Sequence, residues 1–426
     1  MRSDVAEFNA PLYLHPMTKL LIIGAGHAGG SVAALLKQYG FEGSIVLAGE
    51  ETAPPYQRPP LSKAWLKGEA ELETLLLRPE SFYAEQGIDL RTGVTAVAVD
   101  AAGKTVTFAD GGVESYDVLI LATGSTARKL PIPGADRPEL IELRTLHDAE
   151  RLKDALGPGR RLAVVGGGYV GLEAAASARA LGAEVVVIER MDRVLQRVAS
   201  EPLSAFFTAH HRQNGVEIRT GAEVTGFEAE GVRLADGELI AADAVLVGVG
   251  ALACDALART AGLACADGVI VDETARTSDP SIYAIGDMTL RPISAMGGRV
   301  MRLESVPNAL EQAKQAAAAI TGRPAPTPEV PWFWSDQYEI KLQIAGLPFD
   351  ADRQVVRGDP AGGRFAVFHL KGDRIVCVEA VNAPPEFMAG RQMIGRSTAV
   401  DADKLADAGV SMKMVESTTT DGQPVR

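Results

Sequence analysis

Two stretches of this chain set glycines where a peptide backbone must come close to a phosphate. The first reads Gly24-Ala25-Gly26-His27-Ala28-Gly29 and the second Gly166-Gly167-Gly168-Tyr169-Val170-Gly171. In each, the first glycine allows a tight turn, the second lets the backbone approach a pyrophosphate, and the third lets a helix settle on a strand. An acid follows roughly 20 residues further on, where it can accept hydrogen bonds from ribose hydroxyls: Glu50 in the first copy, Glu189 in the second. Either acid could also simply end a strand at the surface. The pyrophosphate would sit on a helix N-terminus, where free N–H groups and the helix dipole favour an anion. Two dinucleotide sites in one chain suggest that a reducing equivalent passes from one to the other.

Other residues stand out by type and place. Glu173 falls in the first turn of the helix after the second glycine turn, where the dipole would stabilise a carboxylate in any case. Lys63 closes the proline-stiffened run Gln57-Arg58-Pro59-Pro60-Leu61-Ser62-Lys63. Asp287 ends the apolar run Ile282-Tyr283-Ala284-Ile285-Gly286, so a buried acid there needs partners. Ser305-Val306-Pro307 reads as a helix start, with proline tolerated in the first turn. Trp332, Phe333, Trp334 and Tyr338 concentrate aromatics in a chain that is only 5% aromatic.

The elements that must carry these residues form two copies of one plan. Each copy runs strand, glycine turn, helix, strand, β-meander, strand. The first meander is read over 95–100 and 105–108 and its closing strand over 118–121. The second is read over 224–229 and 232–235, with its closing strand over 244–247. A further strand over 268–271, the run 282–287 and a helix over about 308–321 follow. Gly322-Arg323-Pro324-Ala325-Pro326-Thr327-Pro328 reads as a proline-rich linker. The expected fold is α/β: two Rossmann-like dinucleotide-binding domains, as in the glutathione-reductase-like FAD/NAD(P) fold, plus a C-terminal α+β domain. The boundaries read as 1–17, a disordered extension; 18–128 with 267–327, one dinucleotide domain; 129–266, the other; and 328–426, the C-terminal domain. The polar tail from Glu416 reads as frayed.

Composition narrows the function classes. The 426 residues carry a formal net charge of −13, which argues against nucleic acid as a partner. The three cysteines, Cys254, Cys265 and Cys377, form no CxxC pair, so disulfides, zinc and a cysteine-held cluster are not expected. The six histidines show no metal spacing, and adjacent His210 and His211 would point to different sides of a helix. No apolar run reaches the roughly 18 residues of a membrane helix, and residues 1–17 lack the apolar core of a signal peptide. A reducing, cytoplasmic setting is expected.

With these residues in view, the chain resembles the FAD-dependent NADH:ferredoxin reductases of bacterial monooxygenase and dioxygenase systems, the putidaredoxin reductase-like family. The resemblance runs from about residue 18 to about residue 410. It is most specific in Pro54-Pro55-Tyr56-Gln57-Arg58-Pro59-Pro60-Leu61-Ser62-Lys63, in Arg302-Leu303-Glu304-Ser305-Val306-Pro307-Asn308-Ala309-Leu310-Glu311-Gln312-Ala313 and in Pro331-Trp332-Phe333-Trp334-Ser335-Asp336-Gln337-Tyr338. It implies FAD in the first repeat, NADH in the second, and a C-terminal domain over the flavin. By resemblance FAD is held by Gly24, Gly26, Ala28, Gly29, Glu50, Arg58, Lys63, Val94, Ala122, Thr123, Gly124, Arg144, Asp287 and Val306. NADH is held by Gly166, Gly168, Tyr169, Gly171, Glu189 and Gly250. Lys63 and Glu173 act at the redox centre, Lys63 near the flavin N5 edge and Glu173 beside the nicotinamide. Trp334 faces a two-iron ferredoxin, with Lys314 and Lys341 as local positive charge. Glu189 would repel a 2′-phosphate and so favour NADH over NADPH, while Arg190 and Arg193 could offset that repulsion.

Related disulfide reductases need a cysteine near the flavin, and the matching loop, 53–63, has none. Met288 stands after Gly286-Asp287, where relatives often carry cysteine or valine. The rival readings are a rubredoxin reductase, the flavin component of a nitrite reductase, or a redox-controlled binding protein resembling apoptosis-inducing factor. The last expects a basic surface and a targeting segment, and the sequence shows neither.

Overall fold

The computed structural model describes residues 16–417. The N-terminal extension therefore lies outside the described residues except for Pro16 and Met17, as does the tail beyond Ser417. Glu416 bridges Val400, and Ser417 N–H donates to the Ala399 carbonyl, so the first two tail residues are tied by backbone pairing rather than frayed. No described helix is long and apolar enough to cross a membrane. The chain divides into two compact units. One comprises Met1–Pro60, Ala70–Thr126 and Ala251–Glu329; the other comprises Leu61–Glu69, Ala127–Gly250 and Val330–Arg426.

The first unit is built on a five-stranded parallel sheet. Strand Lys19–Ile23 lies at its centre, between Ser44–Ala48 and Val118–Leu121; Ile88–Arg91 and Ile282–Ala284 form the edges. Strand side chains alternate between faces. Leu20 and Ile22 join a core with helices His27–Gln38 and Val306–Ile320, while Leu21 and Ile23 join another with Val99, Val106 and Phe108 of the meander. A strand buried on both faces must be apolar throughout, which is why Leu20-Leu21-Ile22-Ile23 shows no polar alternation. The late helix begins at Val306, where Ser305-Val306-Pro307 reads as a helix start, because Ser305 Oγ caps it by accepting from Asn308 N–H.

The second unit repeats the plan with four parallel strands, in the order Val216–Arg219, Glu184–Ile188, Arg161–Val165, Ala244–Val247. Ala163, Val165, Val186 and Ile188 meet the second meander through Phe227, Val232, Leu234 and Ile240. The opposite face carries helix Tyr169–Ala180. Leu162, Val164, Leu172, Val185 and Val187 there share one core with Ile340, Leu342, Phe365, Val367 and Val381. The latter residues belong to a five-stranded antiparallel sheet in the order Trp332–Gln337, Ile340–Gly346, Arg374–Val381, Arg364–Lys371, Arg353–Asp359. Within this unit the C-terminal sheet and the second repeat thus close a common core. Each fully buried Leu, Val or Phe in it contributes about 1.5–3 kcal/mol.

Candidate functional site

In the first unit the glycine turn has room for backbone only. Gly24 has φ +111°, and a Cβ on it would lie 2.2 Å from the Ala122 carbonyl oxygen; a Cβ on Gly29 would lie 1.9 Å from that of Gly24. At Gly26, by contrast, the nearest atom to a Cβ is Arg58 Nη2 at 3.8 Å. Gly26 caps helix His27–Gln38 with no side-chain hydrogen bond, so the helix start offers its N–H groups to an anion. His27 Nδ1 is buried without a hydrogen-bond partner among the described residues, and burial holds its imidazole below the ordinary pKa. An uncapped helix start, an orphaned polar atom and a nearby guanidinium together fit a bound pyrophosphate.

The surrounding residues frame this turn. Arg58 Nη2 donates to Glu51 Oε1 at 2.6 Å, and Tyr56 Oη donates to Glu51 Oε2 at 2.5 Å. Glu50 is exposed, and Val94 N–H donates to the Gly49 carbonyl beside it. Ala122 N–H holds the end of the central strand through Ile23, and Gly124 turns with φ +70°. Thr123 Oγ1 donates to the Cys254 carbonyl at 2.6 Å and touches Met288 Sδ at 3.1 Å. Asp287 Oδ2 accepts from Ser125 Oγ at 3.1 Å, so this acid does have a partner.

In the second unit Gly166 has φ +109°, and its Cβ would lie 2.3 Å from the Gly248 carbonyl oxygen; a Cβ on Gly171 would lie 2.4 Å from that of Gly166. A Cβ on Gly168 would meet nothing within 4 Å. Glu189 is no plain strand-end acid. Its Oε2 accepts from Gly167 N–H at 2.7 Å and its Oε1 from Met191 N–H at 2.8 Å. Arg193 donates to the carbonyls of Ala199, Ser200 and Gln196, so its guanidinium is committed to backbone, whereas Arg190 is exposed. Gly250, with φ +109°, lies near the Arg197 and Arg128 guanidinium groups. Arg144 N–H donates to Asp148, the acid of a capping box that starts helix Leu146–Ala155.

The same unit buries a charged pair. Lys63 Nζ donates to Glu173 Oε2 at 2.5 Å, with side-chain exposures of 18% and 6%. Ser62 Oγ donates to the same oxygen at 2.5 Å, and Ser335 Oγ donates to Oε1 at 2.6 Å. Ser177 Oγ, one helical turn further along, donates to the Ser62 carbonyl at 2.7 Å and holds the lysine segment against the helix. Ions this deep are costly to desolvate and persist only when paired and hydrogen-bonded.

Residues 18–313 match the family described as Pyridine nucleotide-disulphide oxidoreductase, and residues 332–415 match the one described as Reductase C-terminal. The chain belongs to the pyridine nucleotide-disulphide oxidoreductases, in the ferredoxin reductase group. It is 51% identical over 399 residues to a probable ferredoxin reductase, CtmF, of Castellaniella defragrans, covering 92% of this chain and 98% of that one. It is 42% identical to putidaredoxin reductase CamA of Pseudomonas putida, covering 93% and 96% of the two chains. The reductase in the crystal structure of the covalent putidaredoxin reductase–putidaredoxin complex superposes with a TM-score of 0.90 at 42% identity, covering 93% and 97%. Membership makes this chain an FAD-dependent oxidoreductase that works with NAD(H).

In this reductase Lys63 and Glu173 meet, and Trp334 stands apart from them. Along strand Trp332–Gln337, Phe333 rests on Tyr169 with ring centroids 4.9 Å apart, Ser335 reaches Glu173, and Gln337 reaches His211. Trp332 and Trp334 take the other face and lean on each other at 5.6 Å. Trp332 also stacks near Phe387 and under Arg391. Lys314 Nζ is paired with Glu329 Oε1 at 2.9 Å, and Lys341 is exposed. Tyr169 Oη donates to the Val198 carbonyl, and burial drives its phenol pKa well up, so it stays neutral. Sequence reasoning missed Ser62 and Ser335. The available signals were the adjacency of Ser62 to Lys63 and, on an aromatic strand, the polar pair Ser335 and Gln337 two positions apart and so on one face.

Proposed function

We propose that this chain carries electrons from NADH through FAD to a two-iron ferredoxin that serves an oxygenase, in the cytoplasm. The observation that supports it most is the buried Lys63–Glu173 pair, whose glutamate stands two residues beyond the last glycine of the second dinucleotide turn. FAD, when bound, takes the two electrons of a hydride together and releases them singly. Gly24, Gly26, Gly29, Glu50, Arg58, Thr123 and Asp287 would hold it, the glycine turn receiving the pyrophosphate and the acids receiving hydroxyls. Gly166, Gly168, Gly171 and Glu189 would hold NADH in the same manner. Glu173 fixes the Lys63 ammonium in one position, so that its charge is ready where negative charge develops. Trp334, on the strand face away from Glu173, would serve ferredoxin docking with Lys341. The ion pair with Glu329 offsets the charge that Lys314 would offer.

The test is anaerobic mixing of the FAD-loaded protein with NADH. Lys63→Met should keep FAD and slow its reduction by roughly a hundred- to thousandfold, the usual worth of one fixed electrostatic group, about 2.7–4 kcal/mol. An unchanged rate would remove Lys63 from the redox centre.

A further inference from the structure

We propose that Ser335 is a positioning residue for the Lys63–Glu173 pair, acting at the end of a one-way hydrogen-bond chain that runs from Tyr338 through His211 and Gln337. This rests on the reading that the pair serves hydride transfer. It adds that the C-terminal sheet helps set the geometry of that pair.

The direction of every link follows from the carboxylate. Glu173, paired with Lys63, is an acceptor only, so Ser335 must spend its single hydrogen on Oε1, at 2.6 Å. Ser335 Oγ can then only accept from Gln337, which must present its NH₂ group, at 3.1 Å. The Gln337 oxygen consequently faces His211 Nε2 at 2.8 Å, and that nitrogen must carry the hydrogen. Burial pushes the His211 pKa down to about 4 against the opposing bond from Gln337, so at neutral pH the ring has one N–H and Nδ1 is a bare acceptor. Tyr338 Oη, whose pKa burial raises, donates to it at 3.3 Å. Tyr338 itself turns the hairpin at φ +55°, a conformation that residues with side chains rarely take.

All five side chains have one arrangement available, and it ends on Glu173. The two carboxylate oxygens are served unequally. Oε2 has Lys63 and Ser62, whereas Oε1 has Ser335. The terminal torsion of a glutamate is soft and roughly two-fold. Without the Ser335 hydroxyl, the carboxylate can swing, and the Lys63 ammonium moves with it.

The experiment compares Ser335→Ala and Ser335→Thr in the FAD-loaded protein, each also combined with Glu173→Gln. Ser335→Ala should slow the limiting rate of flavin reduction by NADH about tenfold, about 1.4 kcal/mol of barrier, with NADH affinity nearly unchanged. Ser335→Thr, which keeps the hydroxyl, should restore the rate. In the Glu173→Gln background Ser335→Ala should add little, because a residue that acts through another cannot be lost twice. Nitrogen NMR of labelled histidine supplies a readout independent of turnover: His211 should be neutral with its hydrogen on Nε2. A hydrogen on Nδ1 would overturn the proposal, since Gln337 would then turn its amide and Ser335 would point away from Glu173. A wild-type rate in Ser335→Ala, or an undiminished loss in the Glu173→Gln background, would do the same. If Ser335→Ala does not fold, the threonine variant and the His211 spectrum decide. Lys63→Met in parallel separates the two levels: if it slows reduction while Ser335→Ala does not, this proposal alone falls; if neither does, the reading of the pair falls with it.

Discussion

The two dinucleotide turns share a backbone and differ in how they are finished. In both, the first and third glycines are closed off by carbonyl oxygens, at 2.2 and 1.9 Å from a hypothetical Cβ in the first turn and 2.3 and 2.4 Å in the second. In both, the middle glycine faces open space or the end of a flexible side chain. Their acids diverge. Glu50 is exposed, and charge near the first turn comes from the Arg58–Glu51–Tyr56 cluster. Glu189 is held by two backbone N–H groups. The second turn is therefore the preorganised one. On the proposed assignment of NADH to this turn, a co-substrate that must come and go each cycle gains from a ready-made site, because the ordering cost is met in folding.

The glycines offer the sharpest way to break the parallel. Gly29→Ala and Gly171→Ala should each remove their own dinucleotide entirely and lower the melting temperature, since overpacking against backbone costs about 1–3 kcal/mol or more. Gly26→Ala and Gly168→Ala should fold normally and still lose affinity, because only the ligand would meet the added methyl. Apoprotein fluorescence titration with FAD, and equilibrium binding of NADH, read both effects. A Gly26→Ala protein that binds FAD as the wild type does would show that the pyrophosphate does not lie on this turn.

Acid bears on both units, through His27 in the first and through His211 in the second. His211 sits in the second unit with its pKa lowered from 6.5 to about 4. Its unfolded form gains a proton first as pH falls, so the stability it contributes is whole above pH 6.5 and is lost as pH drops toward 4. The loss amounts to about 3 kcal/mol at the lower limit. Hydrogen exchange should show helix Glu201–Gln213 loosening in that window, and His211→Asn should flatten the dependence. The same pH profile in the variant would assign the change to another group.

The smallest effect tests the acids. Glu189→Gln should lower the catalytic efficiency with NADH about tenfold, about 1.4 kcal/mol, and narrow the preference over NADPH. Glu50→Gln should weaken FAD binding by less, because no backbone group depends on it. Equal losses at the two sites would erase the distinction between a locked and an open acid.

Much of this arrangement was legible in residue order, and the reason is locality. A glycine turn, a helix capped by Ser305 and a run such as Leu20-Leu21-Ile22-Ile23 each declare themselves within a few residues, through φ requirements, capping and period. Lys63, Glu173 and Trp334 stood out by type and place, but the roles given to them came through a family likeness, not through pattern. Ser335 escaped because its partner lies 162 positions away in the chain. The commitment of Arg193 to three carbonyls escaped for a related reason: a charged side chain looks the same in sequence whether it meets solvent or backbone. The shared core of the C-terminal sheet and the second repeat was also hidden, since Pro324, Pro326 and Pro328 read as a boundary and apolar residues on both sides carry no label of their neighbours.

That common core bears on how such chains can diversify. Phe206 and Tyr169 rest on Phe365 and Phe333 of the C-terminal sheet, with ring centroids 5.3 and 4.9 Å apart, and a foreign sheet would have to match them side chain for side chain. Within this unit the C-terminal sheet is packed as part of the core. On the proposed docking role of Trp334, a lineage that changes its electron acceptor there works one face of a strand whose other face carries Ser335 and Gln337. Change on one face of that strand is then checked by the packing of the other.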